Sequence, residues 1–366
     1  VGFVNATIGS TGIEAWMSKD AINGSDTVVD VLKKHGKYSD TKESFRFDEM
    51  TGSWNTRLGP LSGFNVAGFM WYQGCSNLEE GLVNDAGFYE AALGAFIKDL
   101  AVKFGFDDVN DMPFIMTQLA PDNFKFTNDA MAVWTQEVAA VVDKYALSQQ
   151  ITFYDANLAY HLDGCSGDPC TCGNGIDHPS DKRAIAHRTA QAMLHNIYKV
   201  EGTTADYYIP EVESYEIGQN GKITVTFKNV GEGLKVITGE SSDERSLAES
   251  DEVEGFTVCG ENHVFAPARA RIISKNQVEV YNSLINNPVA FTYAFTNFNV
   301  CSDLCNSYGL PALQFRSHVF DDGYYCTPLD WATCDQTVFW DTNRRDGYYV
   351  PNWKVGQLSG VTDPAA

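Results

Sequence analysis

The stretch Pro113-Phe-Ile-Met-Thr-Gln-Leu119 is a short, mainly apolar run that lies between two longer segments with helical patterns. Two similar runs, Phe64–Tyr72 and Ile151–Ala156, lie on the far sides of those segments, and Val1–Ile8 is a further strand-like run. Nearly continuous apolar runs of this length are typical of strands that are buried on both faces of a parallel sheet. We therefore predict a strand in each run.

Helical patterns separate these predicted strands. Apolar residues recur at helical spacing over residues 88–104 and 131–145, and Asn128 is the predicted N-cap of the second helix. A further helix is predicted from about Ser180 onwards. Strands that alternate with helices of this length specify a parallel α/β sheet with right-handed crossovers, which we assign to residues 1–199.

The pattern changes after about residue 200. Residues 200–317 contain alternating or β-branched segments separated by turn residues, which predicts a β-rich domain, either a sandwich or a sheet packed beside the first domain. An acidic stretch at 238–254 is predicted to be a solvated loop, and residues 318–366 form a cysteine-containing aromatic and acidic tail. The clearest strand segments are Lys222–Phe227, Gln277–Tyr281 and Val289–Phe295.

The composition excludes several classes of protein. The 26 Lys and Arg residues face 48 Asp and Glu residues, which gives a formal charge of −22. This balance argues against a nucleic-acid partner, which requires a concentrated positive surface, and against docking on anionic lipid. No apolar run reaches the roughly 18 residues that a membrane-spanning helix needs, so no insertion into a membrane is expected.

Nine cysteines and two N-glycosylation sequons, at Asn5 and Asn23, indicate the secretory pathway. Many cysteines without a complete metal signature usually form disulfides in an oxidising compartment. We therefore expect a secreted or lysosomal glycoprotein. Because the chain opens on a strand-like run, its N-terminus is interpreted as the product of cleavage or truncation.

Ligands of open parallel sheets bind at the carboxyl ends of the strands, so the loops that follow the predicted strands are candidate sites. The loop with Gly9 and Ser10 precedes a predicted helix and allows close approach of backbone N–H groups to an anion. The loop with Gln73 and Asn77 offers two side-chain amides as donors to an oxyanion. The alternatives are a plain tight turn in the first loop and amides that satisfy loop backbone in the second.

A third candidate loop contains His178, which is followed by Pro179 and the capping residue Ser180. Proline and a capping serine fix the backbone, and this would hold the imidazole in one place for proton transfer. His178 is therefore the best candidate for a general base among the seven histidines.

Several runs in this sequence resemble conserved blocks of the sialate O-acetylesterases, a branch of the SGNH (GDSL-like) hydrolases. The resemblance covers roughly residues 1–317, in the right order, and implies a flavodoxin-like parallel sheet flanked by helices. The runs that carry it are Asn5–Met17, Trp71–Asn77, Asp177–Lys182, Asn287–Phe295 and Tyr308–Arg316.

The resemblance implies a serine esterase that removes O-acetyl groups, typically from the glycerol side chain of sialic acid. It implies that His178 is the general base and then the general acid, that Asn77 is an oxyanion donor, and that Gly9 is a backbone donor. Ser10, the adjacent alternative to Gly9, and Gln73 are candidates for contact with the substrate. No cofactor and no metal ion are implied.

The nucleophile block of this family, Gly-Asp/Gln-Ser-Asn, is missing from the chain. The run from Gly74 to Asn77 already corresponds to the third block, and Ser10 and Ser76 lie in blocks that supply oxyanion donors. A sheet without its first strand would expose backbone donors and apolar faces. We therefore expect a second chain, cleaved from the same precursor and still associated, to supply both the strand and the serine.

The histidine block also departs from many SGNH hydrolases, which have an aspartate three residues before the histidine. Gly175 occupies that position here. His178 is then oriented by a backbone carbonyl, or by Asp177 or Asp168.

Cys75 stands where the family usually has glutamate. A disulfide to the cluster of Cys165, Cys170 and Cys172 is the favoured interpretation, with zinc as the alternative that fits this spacing poorly. Further local disulfides are expected for Cys301 with Cys305 and for Cys326 with Cys334, and the odd number of cysteines leaves one for an interchain bond.

The sequence is also compatible with two other functions. The chain could be an inactive homologue that acts as a secreted carbohydrate-binding or structural glycoprotein, as the missing serine block suggests. It could also deacetylate another polysaccharide, since the same residues would serve a different acetylated sugar.

Overall fold

The computed structural model describes residues 2–41, 44–85, 87–119, 130–145, 148–151, 183–201, 208–238, 246–248, 250–261, 263, 265–295 and 303–318. These residues contain seven α-helices: α1 (Ile13–Trp16), α2 (Lys19–Asn23), α3 (Asp26–Lys34), α4 (Cys75–Glu79), α5 (Phe88–Lys103), α6 (Ala130–Val142) and α7 (Arg183–Asn196). Short 3₁₀ or π-helical turns occur at Trp54–Leu58, Gly59–Leu61, Leu82–Asn84 and Val109–Asp111. None of the helices in these ranges is long and apolar enough to cross a bilayer.

The strands fall into a short first set and a longer second set. The first set is β1 (Phe69–Trp71), β2 (Phe114–Thr117) and β3 (Ser148–Ile151). The second set is β4 (Glu211–Ile217), β5 (Lys222–Lys228), β6 (Lys235–Thr238), β7 (Ser246–Ala248), β8 (Glu252–Val253), β9 (Phe256–Cys259), β10 (Phe265–Pro267), β11 (Arg269–Ser274), β12 (Gln277–Tyr281), β13 (Ala290–Tyr293), β14 (Leu304–Cys305) and β15 (Phe315–Arg316).

The first three strands form a parallel sheet in the order β1-β2-β3. Their carboxyl ends, at Trp71, Thr117 and Ile151, therefore lie along one edge. The strands predicted within 64–72 and 113–119 are confirmed, although each is shorter than its apolar run. Of the run predicted at 151–156, only Ile151 lies within the described residues.

Helices α5 and α6 pack against this sheet and form its core. Phe96 of α5 and Trp134 of α6 are completely buried, and the ring of Phe96 lies 4.8 Å from the ring of Trp71 between centroids. The helices predicted over 88–104 and 131–145 are thus confirmed. The third predicted helix is observed as α7, which packs against β2 and β3.

The predicted strand Val1–Ile8 is wrong, because residues 2–8 form no strand in the structure. The Asn5 side chain accepts hydrogen bonds from the backbone N–H (3.0 Å) and the hydroxyl (2.7 Å) of Thr7, and this local turn competes with strand pairing. Phe3 and Val4 are 78% and 67% exposed, so the apolar character of this run does not reflect burial.

Helices α2 and α3 were not predicted from the apolar pattern, although both carry a clear start signal. Ser18 accepts a hydrogen bond from the N–H of Ala21 (3.1 Å), and Ser25 accepts one from the N–H of Val28 (3.4 Å). Serine at the N-cap satisfies an N–H group that has no partner inside the helix.

The strands described between residues 211 and 316 form a β-sandwich. A five-stranded antiparallel sheet (β4-β5-β12-β11-β8) and a four-stranded one (β10-β9-β13-β15) contribute to one hydrophobic core. Val225 and Val278 of the first sheet and Val258 and Phe291 of the second are completely buried in that core. The β-rich prediction is confirmed, and of its two forms the structure has the sandwich.

The acidic stretch 238–254 is not the continuous loop that was predicted. It contains β7 and β8, and β7 pairs with β6 while β8 pairs with β11. Pairing with an existing sheet edge supplies partners for the backbone of this stretch, which its composition alone does not reveal.

Lys228 connects the sandwich to the α/β region. Its ammonium lies 3.3 Å from Asp143, which follows α6, and 3.0 Å from Glu211 of β4. Ala139 of α6 also packs against an apolar cluster of Ile209 and Leu310. The division at residue 199 and the tail from 318 remain predictions.

Glu137 of α6 caps the first turn of α5, whose own N-cap Gly87 has no side chain. The Glu137 carboxylate accepts hydrogen bonds from the backbone N–H groups of Gly87 (2.8 Å), Tyr89 (2.9 Å) and Glu90 (3.1 Å). Burial raises the pKa of Glu137, while the three N–H groups act in the opposite direction. The two helices are therefore joined by a buried, fully used carboxylate.

We expect Glu137→Ala to lower the free energy of unfolding by about 3 kcal/mol, because it leaves three N–H groups without their acceptor. Urea unfolding measures this. The control is Glu90→Ala, whose carboxylate pairs at 2.6 Å with Lys144 on the surface; its loss should stay below about 1 kcal/mol. Equal losses would contradict the capping role.

Asp303 makes the stability of the sandwich dependent on pH. Burial raises the pKa of Asp303 from 3.8 to about 7, although its carboxylate accepts a hydrogen bond from the N–H of Glu254. Because the folded chain then holds a proton that the unfolded chain releases, the free energy of unfolding falls as the pH rises through this range. We expect the melting temperature to fall less steeply with pH in Asp303→Asn, measured by circular dichroism; parallel curves would contradict the assignment.

Candidate functional site

Two loops meet at the carboxyl edge of the parallel sheet. One is residues 9–12, before α1, and the other is residues 72–74, between β1 and α4. Gln73 donates a hydrogen bond from Nε2 to the carbonyl of Thr11 (3.0 Å). Below them, the rings of Trp16 and Trp71 pack edge to face, with centroids 5.8 Å apart. The structure thus brings together the two sequence blocks that contain Gly9, Ser10, Gln73 and Asn77.

Asn77 lies at the centre of this junction and has no exposed surface. Its Oδ1 accepts hydrogen bonds from the N–H of Ile13 (2.9 Å) and from Nε2 of Gln73 (2.8 Å). Its Nδ2 donates to Oε2 of Glu14 (2.9 Å). A backbone donor on one side and a carboxylate on the other leave the amide only one favourable orientation.

Gln73 uses its whole side chain within the protein. Both hydrogen-bond partners of its Nε2, Thr11 and Asn77, are internal. Its Oε1 lies 2.8 Å from the hydroxyl of Tyr89, and that hydroxyl is also 3.0 Å from the Gln73 carbonyl. Burial raises the pKa of Tyr89, so this hydroxyl keeps its proton and donates. These contacts match the alternative in which the Gln73 side chain satisfies hydrogen-bonding groups of the loop backbone. Gln73 is partly exposed, and its contact with a substrate stays a proposal.

Glu14 and Lys37 were not identified from the sequence as members of the site. The side chain of Glu14 is 1% exposed, and its Oε1 lies 3.0 Å from the ammonium of Lys37. Lys37 also contacts Glu80 at 2.7 Å. Burial lowers the pKa of Lys37, but the carboxylates of Glu14 and Glu80 more than offset this, and the pKa lies above its usual value. The sequence feature that could have identified Glu14 is its position as the single glutamate within the otherwise apolar run Ile13–Met17.

Glycines at two positions allow this packing. A Cβ atom at Gly12 would overlap the carboxylate of Glu14. Gly74 has φ +149°, and a Cβ there would lie 2.6 Å from the indole nitrogen of Trp134. A side chain at either position would push apart groups that the site holds in contact.

Gly9 and Ser10 are exposed at the rim of the junction. Ser10 has φ +58°, a left-handed conformation that is uncommon for a residue other than glycine. A Cβ at Gly9 would meet no atom of the described residues within 4 Å. Gly9 and Ser10 are therefore accessible at the start of the first loop, whereas Thr11, Gly12 and Asn77 are buried.

Other predicted site residues have different outcomes. His178 and Asp177 lie outside the described residues, as do the cysteines proposed to pair with Cys75 and Cys305. Asn5 and Asn23 are both exposed, and glycosylation of either stays a prediction. Within the described ranges, no three His, Cys, Asp or Glu side chains are placed to hold a metal ion.

Comparisons with known proteins give a consistent result. Residues 1–163 match a family model described as carbohydrate esterase, sialic acid-specific acetylesterase. Human sialate O-acetylesterase is 22% identical over 342 residues, which cover 88% of this chain and 58% of the human protein. The sialate O-acetylesterase of Pongo abelii is 25% identical over 224 residues, which cover 58% of this chain and 38% of that protein.

A solved carbohydrate acetylesterase from Xanthomonas citri has a similar structure, with a TM-score of 0.64 and 25% identity. The alignment covers 85% of this chain and 60% of that one. This chain therefore spans about three fifths of the length of the human relative and of the solved structure. The comparisons confirm the resemblance that the motifs carry: this chain is similar to the carbohydrate acetylesterases of the sialate O-acetylesterase family.

Proposed function

We propose that this chain carries the oxyanion side and the general base of a serine esterase that removes O-acetyl groups from sialic acid or a related sugar. The observation that carries the proposal is the meeting of the 9–12 and 72–74 loops at the carboxyl edge of the parallel sheet, where open α/β sheets bind ligands. The acetylesterase relatives supply the reaction class.

The accessible donors of this site are at its rim. Gly9 and Ser10 expose their backbone, and we assign their N–H groups to the oxyanion that forms when the acetyl carbonyl is attacked. Gln73 is partly exposed and is assigned to substrate contact. Asn77 is assigned as the side-chain donor through the Nδ2 hydrogen that Glu14 does not accept; because Asn77 is buried, this contact requires the residues above it to move on binding.

His178 is assigned as the general base and then the general acid. Helix α7, which begins at Arg183 shortly after this residue, packs against β2 and β3. In a right-handed crossover, the helix that follows a strand begins on the side of the strand's carboxyl end. This topology supports a position for His178, with Asp177 or a backbone carbonyl to orient it, at the edge that holds Gly9 and Gln73.

The nucleophilic serine is assigned to a segment beyond these 366 residues, upstream on the same precursor or on a separate chain. Among the described strands, β1 pairs with β2 alone. A further strand paired along the other edge of β1 would bring a serine at its carboxyl end next to the two loops.

A second candidate function is a carbohydrate-binding homologue without catalysis. It is favoured by the complete burial of Asn77 and by the internal use of both Nε2 contacts of Gln73. Such a protein would bind O-acetylated sugar and release no acetate, whereas the esterase releases acetate at a rate that depends on His178.

We expect His178→Ala to reduce acetate release from an aryl acetate and from O-acetylated sialic acid by about a thousandfold in the natural protein with all of its segments, because the general base is lost. His35→Ala is the matched control. The imidazole of His35 lies 2.7 Å from Asp85, away from the two loops, and activity should remain. Full activity of the His178 variant would contradict the proposal, and binding without hydrolysis by the unmodified protein would favour the second candidate.

Gly9→Ala tests whether the substrate approaches the backbone N–H of Gly9, and we expect it to leave the fold undisturbed. The added methyl group meets no atom of the described part of the chain within 4 Å, so the melting temperature should not change, whereas a substrate oxygen approaching the N–H would meet this methyl group. We expect kcat/KM for acetate release to fall about tenfold or more. Gly94→Ala, which also adds a methyl group to open space, is the control; equal kcat/KM in both variants would show that substrate does not approach Gly9.

A further inference from the structure

We propose that Glu14 is a positioning residue that, through Asn77, holds Gln73 and the first turn of α1 in the arrangement that presents the donors of the site. The proposal rests on the proposed function and assigns Glu14 no contact with the substrate. It begins from the position of the Glu14 carboxylate, which is almost fully buried between two partners that approach from opposite sides.

The first step is the orientation of the Asn77 amide. An amide side chain can turn over and exchange its oxygen and nitrogen, and only its partners decide between the two orientations. The carboxylate of Glu14 accepts but cannot donate when ionised, so it requires the nitrogen of Asn77 on its side. The oxygen of Asn77 then faces Ile13 and Gln73.

The second step is the consequence for the two loops. Ile13 is the first residue of α1, and the loop with Gly9 and Ser10 leads directly into it. Gln73 is held by Asn77 on one side and by the Thr11 carbonyl on the other. If the Asn77 amide turned over, its nitrogen would face two N–H donors, and both loops would lose a fixed point.

The third step is the role of Lys37. A buried carboxylate without a partner carries a large desolvation cost, which a cation at hydrogen-bond distance reduces. Lys37 provides this cation and, being 26% exposed, connects Glu14 to solvent and to Glu80. Lys37 therefore stabilises the carboxylate of Glu14. Of Glu14, Lys37 and Glu80, only Glu14 makes a hydrogen bond to Asn77.

The test compares three variants in the natural protein with all of its segments. Glu14→Met removes the acceptor but keeps a side chain of similar length, and we expect kcat for acetate release to fall about tenfold or more with KM within about twofold. Glu14→Gln keeps one acceptor oxygen for Asn77, and we expect it to restore kcat to within about threefold of the unmodified protein. Glu80→Met, the matched control at the outer partner of Lys37, should leave kcat unchanged.

Either of two results would overturn the positioning role of Glu14 and leave the proposed esterase function intact. The first is normal kcat in Glu14→Met. The second is an equal loss of kcat in Glu14→Met and Glu14→Gln, which would assign the effect to the charge of Glu14. Loss of activity in His178→Ala would show that the proposed function still holds when the positioning role of Glu14 fails.

A measurement that needs neither activity nor a stable variant completes the test. In the unmodified protein, the Nδ2 proton of Asn77 that Glu14 accepts should exchange slowly with water by NMR, because it is held in a buried hydrogen bond. Rapid exchange of this proton would refute the positioning role even if Glu14→Met does not fold.

Discussion

The three hydrogen bonds of the Asn77 side chain are the constraint on which the rest of the site depends. Two of them join the start of α1 to helix α4, which lies more than sixty residues further along the chain. Because Asn77 is fully buried, breaking one bond leaves a polar group without water to replace its partner. The arrangement is therefore cooperative: Ile13, Gln73 and Glu14 each keep the others in position.

This polar junction stands on a rigid apolar base. Trp71 at the end of β1 contacts both Trp16 and Phe96, so the ring contacts continue from the loops into the core of the α/β region. Sites built on packed elements hold their geometry more closely than sites carried by loops alone. The β-sandwich contributes through Lys228 and the apolar contacts of α6, which fix the far end of a helix whose Glu137 orients α5.

The spacing of apolar residues in the sequence was sufficient to predict the helices and strands whose burial follows from their own local pattern. Helices α5 and α6, strand β2 and the sandwich strands β5 and β12 lie where their apolar patterns placed them. Residues 2–8 show the limit of this approach: the run is mainly exposed, pairs with none of the described strands and forms no strand. In the site, the sequence identified the loop with Gly9 and Ser10 and the loop with Gln73 and Asn77 as candidates at the carboxyl ends of strands. It missed Glu14, because its partner Lys37 becomes a neighbour only through tertiary packing.

The close approach of Gly74 to Trp134 limits the substitutions that directed evolution can introduce at position 74. The side chains of Trp134 and Leu119 fill the space that any side chain at position 74 would need, so the effect of a change at position 74 depends on these two residues. We therefore expect a side chain at position 74 alone to destabilise the fold. Introducing one requires smaller residues at the positions of Trp134 and Leu119, which fill this space.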